Sequence, residues 1–201
     1  QGAQDEVQET EAQYNDGLIT VFSFGGIYAA AEFGFSLGEV MLFGIVLNVT
    51  AGLGALGLGF LDDRIGGKRT ILLSIVGLIA GSLVAVVTSD RTLFWAGGIL
   101  IGICVGPNQS ASRSLMGRFA PADKKSEFYG LFAFSGKATA LLAPLLFGLM
   151  QELFDSHRMG MSMVLVFFVC GGILLLRVDE RAGRLAGAGE PASVTGEPAG
   201  T

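Results

Sequence analysis

Six apolar stretches, at about residues 16–33, 39–61, 70–88, 92–116, 127–151 and 159–176, take up most of this chain and leave its fold little freedom. Each runs for about 18–25 residues, the length a helix needs to cross a hydrocarbon core of roughly 30 Å. The connections between them are short. The pattern predicts an all-α membrane protein with six transmembrane helices. Composition points the same way: 15% of residues are charged, where a soluble domain carries about 25%. Glycine accounts for 31 of 201 residues without a G-x-y period, which suits close helix packing in lipid.

The ends of the chain differ from its middle. Residues 1–13 are acidic and polar, begin with Gln1, and lack the form of a secretory signal. They read as an acidic linker remnant, which makes the chain a fragment. Residues 14–177 form the membrane unit, and the Gly-, Ala-, Glu- and Pro-rich residues 178–201 read as a disordered cytoplasmic tail. The net charge of −5 comes from an acid cluster in the leader, and no basic patch for nucleic acid is present. Cys104 and Cys170 fall inside apolar stretches, so a disulfide framework is not expected.

Basic residues set the expected orientation. Arg64, Lys68, Arg69, Arg113, Arg118, Lys124, Lys125, Arg177, Arg181 and Arg184 fall on one side, against Arg91 and Arg158 on the other. This bias predicts that both termini are cytoplasmic, in a plasma (inner) membrane.

Between the second and third stretches lies Gly59-Phe60-Leu61-Asp62-Asp63-Arg64-Ile65-Gly66-Gly67-Lys68-Arg69. It reads as a tight polar loop over 62–69. Gly59 lets a helix end approach a neighbour, and Gly66 and Gly67 permit the reversal. Asp63 is a carboxylate able to accept from the amides of a nearby helix N-terminus. Arg64, Lys68 and Arg69 hold the loop at the cytoplasmic surface. The plainer reading is a stop-transfer loop.

The spacing Gly-x-Leu-x-Asp-Arg-x-Gly-x-Lys-Arg resembles the loop signature of the major facilitator superfamily of secondary transporters. There it joins the second and third helices of each six-helix half. Three more runs narrow the resemblance: Tyr14-Asn15-Asp16-Gly17 with Phe24-Gly25-Gly26-Ile27-Tyr28-Ala29, Gly106-Pro107-Asn108-Gln109-Ser110-Ala111-Ser112-Arg113-Ser114-Leu115, and Glu127-Phe128-Tyr129-Gly130-Leu131-Phe132-Ala133-Phe134-Ser135-Gly136-Lys137. Together they resemble the vacuole-effluxer-like branch, whose yeast member exports amino acids from the vacuole. The resemblance implies a C-terminal six-helix half built from two inverted three-helix repeats, with an N-terminal six-helix half as its partner. It also implies that spans one and four line a cavity.

Polar residues inside the spans are the candidates for substrate or coupling contacts, because a buried polar group in lipid asks for a reason. Lys137 falls ten residues into span five, roughly 15 Å deep. It suits a cation for an anionic substrate or a coupling carboxylate, or else a structural ion pair. Asn108 and Ser112 share one face of span four, and Gln109 and Arg113 another. Pro107 frees the carbonyl of Ile103, so this polar run sits at a weak point in its helix. Asp16, Thr20 and Ser23 form a polar stripe on span one, with helix capping as the plain role for Asp16. Tyr28 suits the aromatic belt or else the lining of a cavity, Asn48 and Thr50 suit interhelical hydrogen bonds, and Gly52, Gly54, Gly57 and Gly59 suit a packing face.

These readings converge on half of a secondary active transporter that moves a small solute, amino acids among the candidates, by alternating access. The partners expected are membrane lipid, the N-terminal half and the solute, with no nucleic acid, metal or cofactor. The alternative is a non-transporting membrane packing or assembly module. An enzyme is not expected, since no span holds a histidine, a carboxylate pair or a Gly-x-Ser-x-Gly run.

Overall fold

The computed structural model describes residues 25–121 and 124–177, apart from the side chains of residues 61, 63, 138–140 and 142–144. The linker 1–13, the tail 178–201 and the candidates Asp16, Thr20 and Ser23 lie outside the described residues. All regular structure among the described residues is helical: α1 at 25–33, α2 Leu37–Ile65, α3 Gly67–Val87, α4 Arg91–Phe119, α5 Lys125–Phe154 and α6 His157–Arg177. Leu37–Phe60, Gly67–Val87 and His157–Arg177 are long and apolar enough to cross a membrane. α5 contributes an apolar run over Leu145–Phe154. In α4 the apolar run is interrupted by Pro107, Asn108 and Gln109.

Local chemistry sets the helix starts. Ser36 caps α2 in a reciprocal box: its amide donates to Glu39 Oε2 at 2.8 Å, and its Oγ accepts from the Glu39 amide at 3.4 Å. Asp90 caps α4 by accepting from the Leu93 amide at 3.0 Å.

α4 is the hub, packed along α2 on one side and α3 on the other, while α6 bridges α3 and α5. Its contact with α2 depends on glycines one turn apart. A Cβ on Gly98 would stand 2.5 Å from the Phe43 ring, and one on Gly102 would be 3.0 Å from the Leu47 carbonyl. On Gly106 it would be 2.8 Å from the Ala55 amide and would overlap the Ala51 carbonyl. Pro107 leaves the Ile103 carbonyl without an intrahelical donor, and Gly54 of α2 lies against that same carbonyl. Gly81 and Gly97 repeat the arrangement between α3 and α4, each facing the other's carbonyl at 2.9 Å from an ideal Cβ. Small residues at such crossings let backbones approach closely.

Several expectations change here. Among the Gly52, Gly54, Gly57 and Gly59 series, only Gly54 packs against a neighbour; the other three face open space. Asn48 and Thr50 hydrogen-bond within their own helix, to Gly44 and to Val46 and Leu47. A side-chain donor reaches the carbonyl one turn back more readily than a second helix. Tyr28 belongs to no belt. It is fully buried, donates to the Ala85 carbonyl at 3.2 Å, and packs with Phe33 and Phe94 in an aromatic cluster that also holds Phe35, Phe43 and Trp95.

The outer faces are apolar. Met41, Ile45, Val49, Leu53, Leu56 and Phe60 line one side of α2, and Leu131, Phe134, Leu141 and Leu145 line α5; Leu56 is 72% exposed and Leu141 76%. Such surfaces are a liability in water and ordinary in lipid. The chain is an integral membrane protein with an all-helical fold.

Candidate functional site

The signature run is a helix corner. α2 continues through Asp62, Asp63 and Arg64 to Ile65, and α3 starts at Gly67, so Gly66 is the one non-helical residue between them. The loop expected over 62–69 is corrected accordingly. Charged residues read as a loop in sequence, but beyond the lipid a helix carries them without cost. Gly66 has φ 89°, ψ 154°, a conformation that side chains disfavour. Gly67 serves space instead: a Cβ there would stand 3.2 Å from Asp62 Oδ1 and 3.5 Å from Leu115. Gly59 meets nothing within 4 Å.

Asp62 is the residue that sequence reasoning missed. Its Oδ2 pairs with Arg118 at 3.2 Å, tying the corner to the last turn of α4. Its Oδ1 is buried with no hydrogen-bond partner. The family pattern names the neighbouring Asp63, whose side chain lies outside the described residues. The signal for Asp62 was the acid–base pairing of two helix ends, which needs the α2–α4 packing to become visible. Lys68 donates to the Leu176 carbonyl at 3.0 Å, satisfying one of the last carbonyls of α6. Arg64 and Arg69 are exposed. Beneath the corner, Ile71, Ala111 and Leu115 form a small core with Ile75, Phe119 and Leu175 around it.

This geometry carries an expected result. Arg118→Met should cost about 1–3 kcal/mol, because it strands a buried carboxylate that already lacks one partner. Asp62→Asn should cost less, and the swapped pair Asp62→Arg/Arg118→Asp should recover part of the loss. Thermal unfolding in detergent checks this; equal stability of all three with the parent chain would remove the pair as a tie.

One to three turns inward, α4 presents its polar run. Asn108 and Ser112 are half-buried, whereas Gln109 and Arg113 are exposed. Lys137 of α5 is exposed, one turn from Phe134 and Leu141 on an otherwise apolar face. Among the described residues, these five side chains make no hydrogen bond or ion pair. α5 docks on α4 through Tyr129, which donates to the Arg113 carbonyl at 3.4 Å and fits over Gly117. An apolar groove of about 350 Å³ between α1 and α2, lined by Gly26, Val40, Phe43, Gly44 and Asn48 among others, includes none of the candidate residues. No group of three or more His, Cys, Asp or Glu suited to a metal occurs among the described residues.

At the opposite end, Arg158 joins Glu32 at 3.1 Å and Ser89 at 3.0 Å, linking α6, α1 and the α3–α4 turn. Arg91 pairs with Glu39 at 3.0 Å and stands 4.7 Å over the Phe35 ring.

Comparison with known proteins agrees with this picture. The sequence profile of the family described as vacuole effluxer Atg22-like matches residues 13–188. An uncharacterized MFS-type transporter of Bacillus subtilis, YxiO, is 25% identical over 167 residues, covering 83% of this chain and 39% of that protein. Autophagy-related protein 22 of Cryptococcus neoformans is 25% identical over 188 residues, covering 85% of this chain and 34% of its own length. Its namesake in Yarrowia lipolytica is 24% identical over 184 residues, covering 85% and 30%. The chain therefore spans 30–39% of the length of these relatives. A profile match over most of the chain, a major-facilitator signature at a helix corner and an all-helical apolar bundle together make this chain a member of the vacuole effluxer Atg22-like family of major facilitator proteins.

Proposed function

We propose that the chain is the C-terminal, six-span half of a secondary active transporter. It moves a small solute, amino acids among the candidates, by alternating access against an N-terminal half. Both termini are cytoplasmic, the membrane is the plasma (inner) membrane, and the half is built as two inverted three-helix repeats.

The observation that carries this reading is the open polar set on α4 and α5. Asn108, Gln109, Ser112, Arg113 and Lys137 have no partner among the described residues, and three of them are exposed beside apolar surface. In lipid that exposure is expensive. It is explained if a second half encloses these groups in a shared aqueous cavity. Antiparallel register supports the grouping. Tyr129 meets α4 near Arg113 and Gly117, and Lys137 lies eight residues, about 12 Å, further along α5, close to the level of Asn108. Asp63 then sits at the corner where a helix of the other half would arrive, and serves as a conformational lock with Gly59, Arg64, Gly66, Lys68 and Arg69.

Two tests bear on it. Single cysteines at Arg64 and Ser156, at opposite ends of the bundle, should react with an impermeant reagent from opposite sides of the membrane. Labelling of both from one side would end the six-span reading. In proteoliposomes the full-length protein should show saturable, gradient-driven uptake that the isolated chain does not. Uptake by the isolated chain would overturn the half-transporter reading, and absence of uptake by both would favour the packing module.

A further inference from the structure

The fold sorts the cations of this chain into two unlike groups. At the end formed by the starts of α2, α4 and α6, Arg91 and Arg158 each hold a carboxylate, Glu39 and Glu32. At the signature end, Arg118 is taken by Asp62 and Lys68 is turned to the Leu176 carbonyl. Arg64, Arg69, Lys124, Lys125 and Arg177 are exposed there and make no ion pair among the described residues. Glu127 is the one other carboxylate at that end among the residues whose side chains are described, and among those residues the cations are in excess.

Their placement follows a rule that charge alone does not give. Arg64 lies one turn beyond Phe60, Arg69 one turn before Leu73, Lys125 one turn before Tyr129 and Arg177 one turn beyond Ile173. Residues four apart share a helix face. The four inner partners are exposed by 74%, 54%, 42% and 50% in that order. Four helices thus present the same two-tier arrangement, with a cation at the rim and an apolar or aromatic side chain one turn deeper on the same face. Neither arginine-bearing face at the other end repeats it, since exposed Arg91 is followed one turn later by the half-buried Trp95 and half-buried Arg158 by Ser162.

We infer that the signature end is a docking surface for anionic phospholipids, with headgroup phosphates on Arg64, Arg69, Lys125 and Arg177 and acyl chains along Phe60, Leu73, Tyr129 and Ile173. A soluble anion or a nucleic acid would use the rim cations but gain nothing from the apolar tier. A phospholipid uses both. The ties Asp62–Arg118, Lys68–Leu176 and Tyr129–Arg113 hold the helix ends together, so the surface is fixed before lipid arrives. The inference needs the chain to be embedded in lipid and does not depend on transport.

The test is native mass spectrometry of the 201-residue chain in mild detergent, offered equal phosphatidylglycerol and phosphatidylcholine with the same acyl chains. Phosphatidylglycerol should be retained preferentially, by roughly fivefold for each cation engaged. The preference should collapse at about 0.5 M ammonium acetate, where the screening length falls below about 5 Å. This salt arm requires no mutation. The variant Arg64→Gln/Arg69→Gln/Lys125→Gln/Arg177→Gln should lose the preference with helical circular dichroism unchanged, while Arg91→Gln keeps it. Equal retention of the two lipids, or a preference that survives the fourfold variant, would overturn the inference. So would displacement of phosphatidylglycerol by inorganic phosphate, which would mean a soluble-anion site. A preference that emerges only after residues 1–13 are deleted would assign the cations to the acidic leader instead.

Discussion

Gly106→Ala is expected to loosen the bundle by about 1–3 kcal/mol, and Gly106→Leu to force α4 away from α2 altogether. The reason is what a side chain would meet. Its Cβ would overlap the Ala51 carbonyl and stand 2.8 Å from the Ala55 amide. Both are helix backbone, so no rotamer change makes room. Gly57→Ala is the matched control, because nothing lies within 4 Å of it. There the exchange should be neutral or stabilising by up to about 1 kcal/mol, since alanine is the better helix former. Trp95 is the single tryptophan of the chain and packs against Phe35 and Phe43 in the aromatic cluster, so its fluorescence follows melting in detergent. If Gly106→Ala and Gly57→Ala melted alike, the close approach of α2 and α4 would not be what holds the bundle.

Lys137→Met is expected to abolish uptake by the full-length protein while leaving the membrane unit as stable as before, or more so. Lys137 begins the thirteenth position of α5 and is exposed between Phe134 and Leu141. That is about 18 Å along the helix from Lys125. A lysine at the middle of a transmembrane helix costs about 2.5–3.5 kcal/mol on insertion scales, and methionine removes that cost while keeping the length of the side chain. Stability and function should therefore move in opposite directions, which a structural ion pair would not allow. Lys137→Arg should keep partial uptake, because a planar guanidinium replaces a compact ammonium. Radiolabelled uptake beside thermal melts separates the cases. Normal uptake by Lys137→Met would remove the residue from the site, and a large loss of stability would make it structural.

The ends of α2 to α6 fall within four residues of the apolar runs that predict them, because each depends on a long apolar run and on local caps such as Ser36 and Asp90; the start of the first span lies outside the described residues. The superfamily was legible from the spacing at 59–69, and the vacuole-effluxer-like family from the runs at 14–29, 106–115 and 127–137. Pairwise packing was not. Nothing in the order of residues says that Gly54 meets Ile103 while Gly52 and Gly57 meet nothing, since that follows from how α2 is rotated about its axis. Tyr28 was misread for a related cause: an aromatic residue near a helix end suits a membrane belt or a buried cluster equally well until Phe33, Phe35, Phe43 and Phe94 converge around it. Asn48 and Thr50 suit partners on other helices by sequence alone, but the carbonyls of their own helix are nearer. In the candidate site, the polar run of α4 was visible as a chemical anomaly in an apolar segment. Asp62 was not, because its role exists only once Arg118, fifty-six positions later, is folded against it.

The missing bond at Pro107 gives α4 the mechanics of a jointed lever. A helix with every rung in place spreads any bend along its length, whereas one omitted rung gathers the compliance at a single level. That level is the Ile103 carbonyl, and Gly54 presses against it as a fulcrum. The arm on one side, from Arg91, is seated by Phe94 and Trp95 in the aromatic cluster. The arm on the other side carries Asn108, Gln109, Ser112 and Arg113 and ends at Arg118, hooked to Asp62. A push on the signature corner is expected to bend α4 first at this level, displacing the polar residues more the farther each lies from the joint, with the aromatic end held by its cluster.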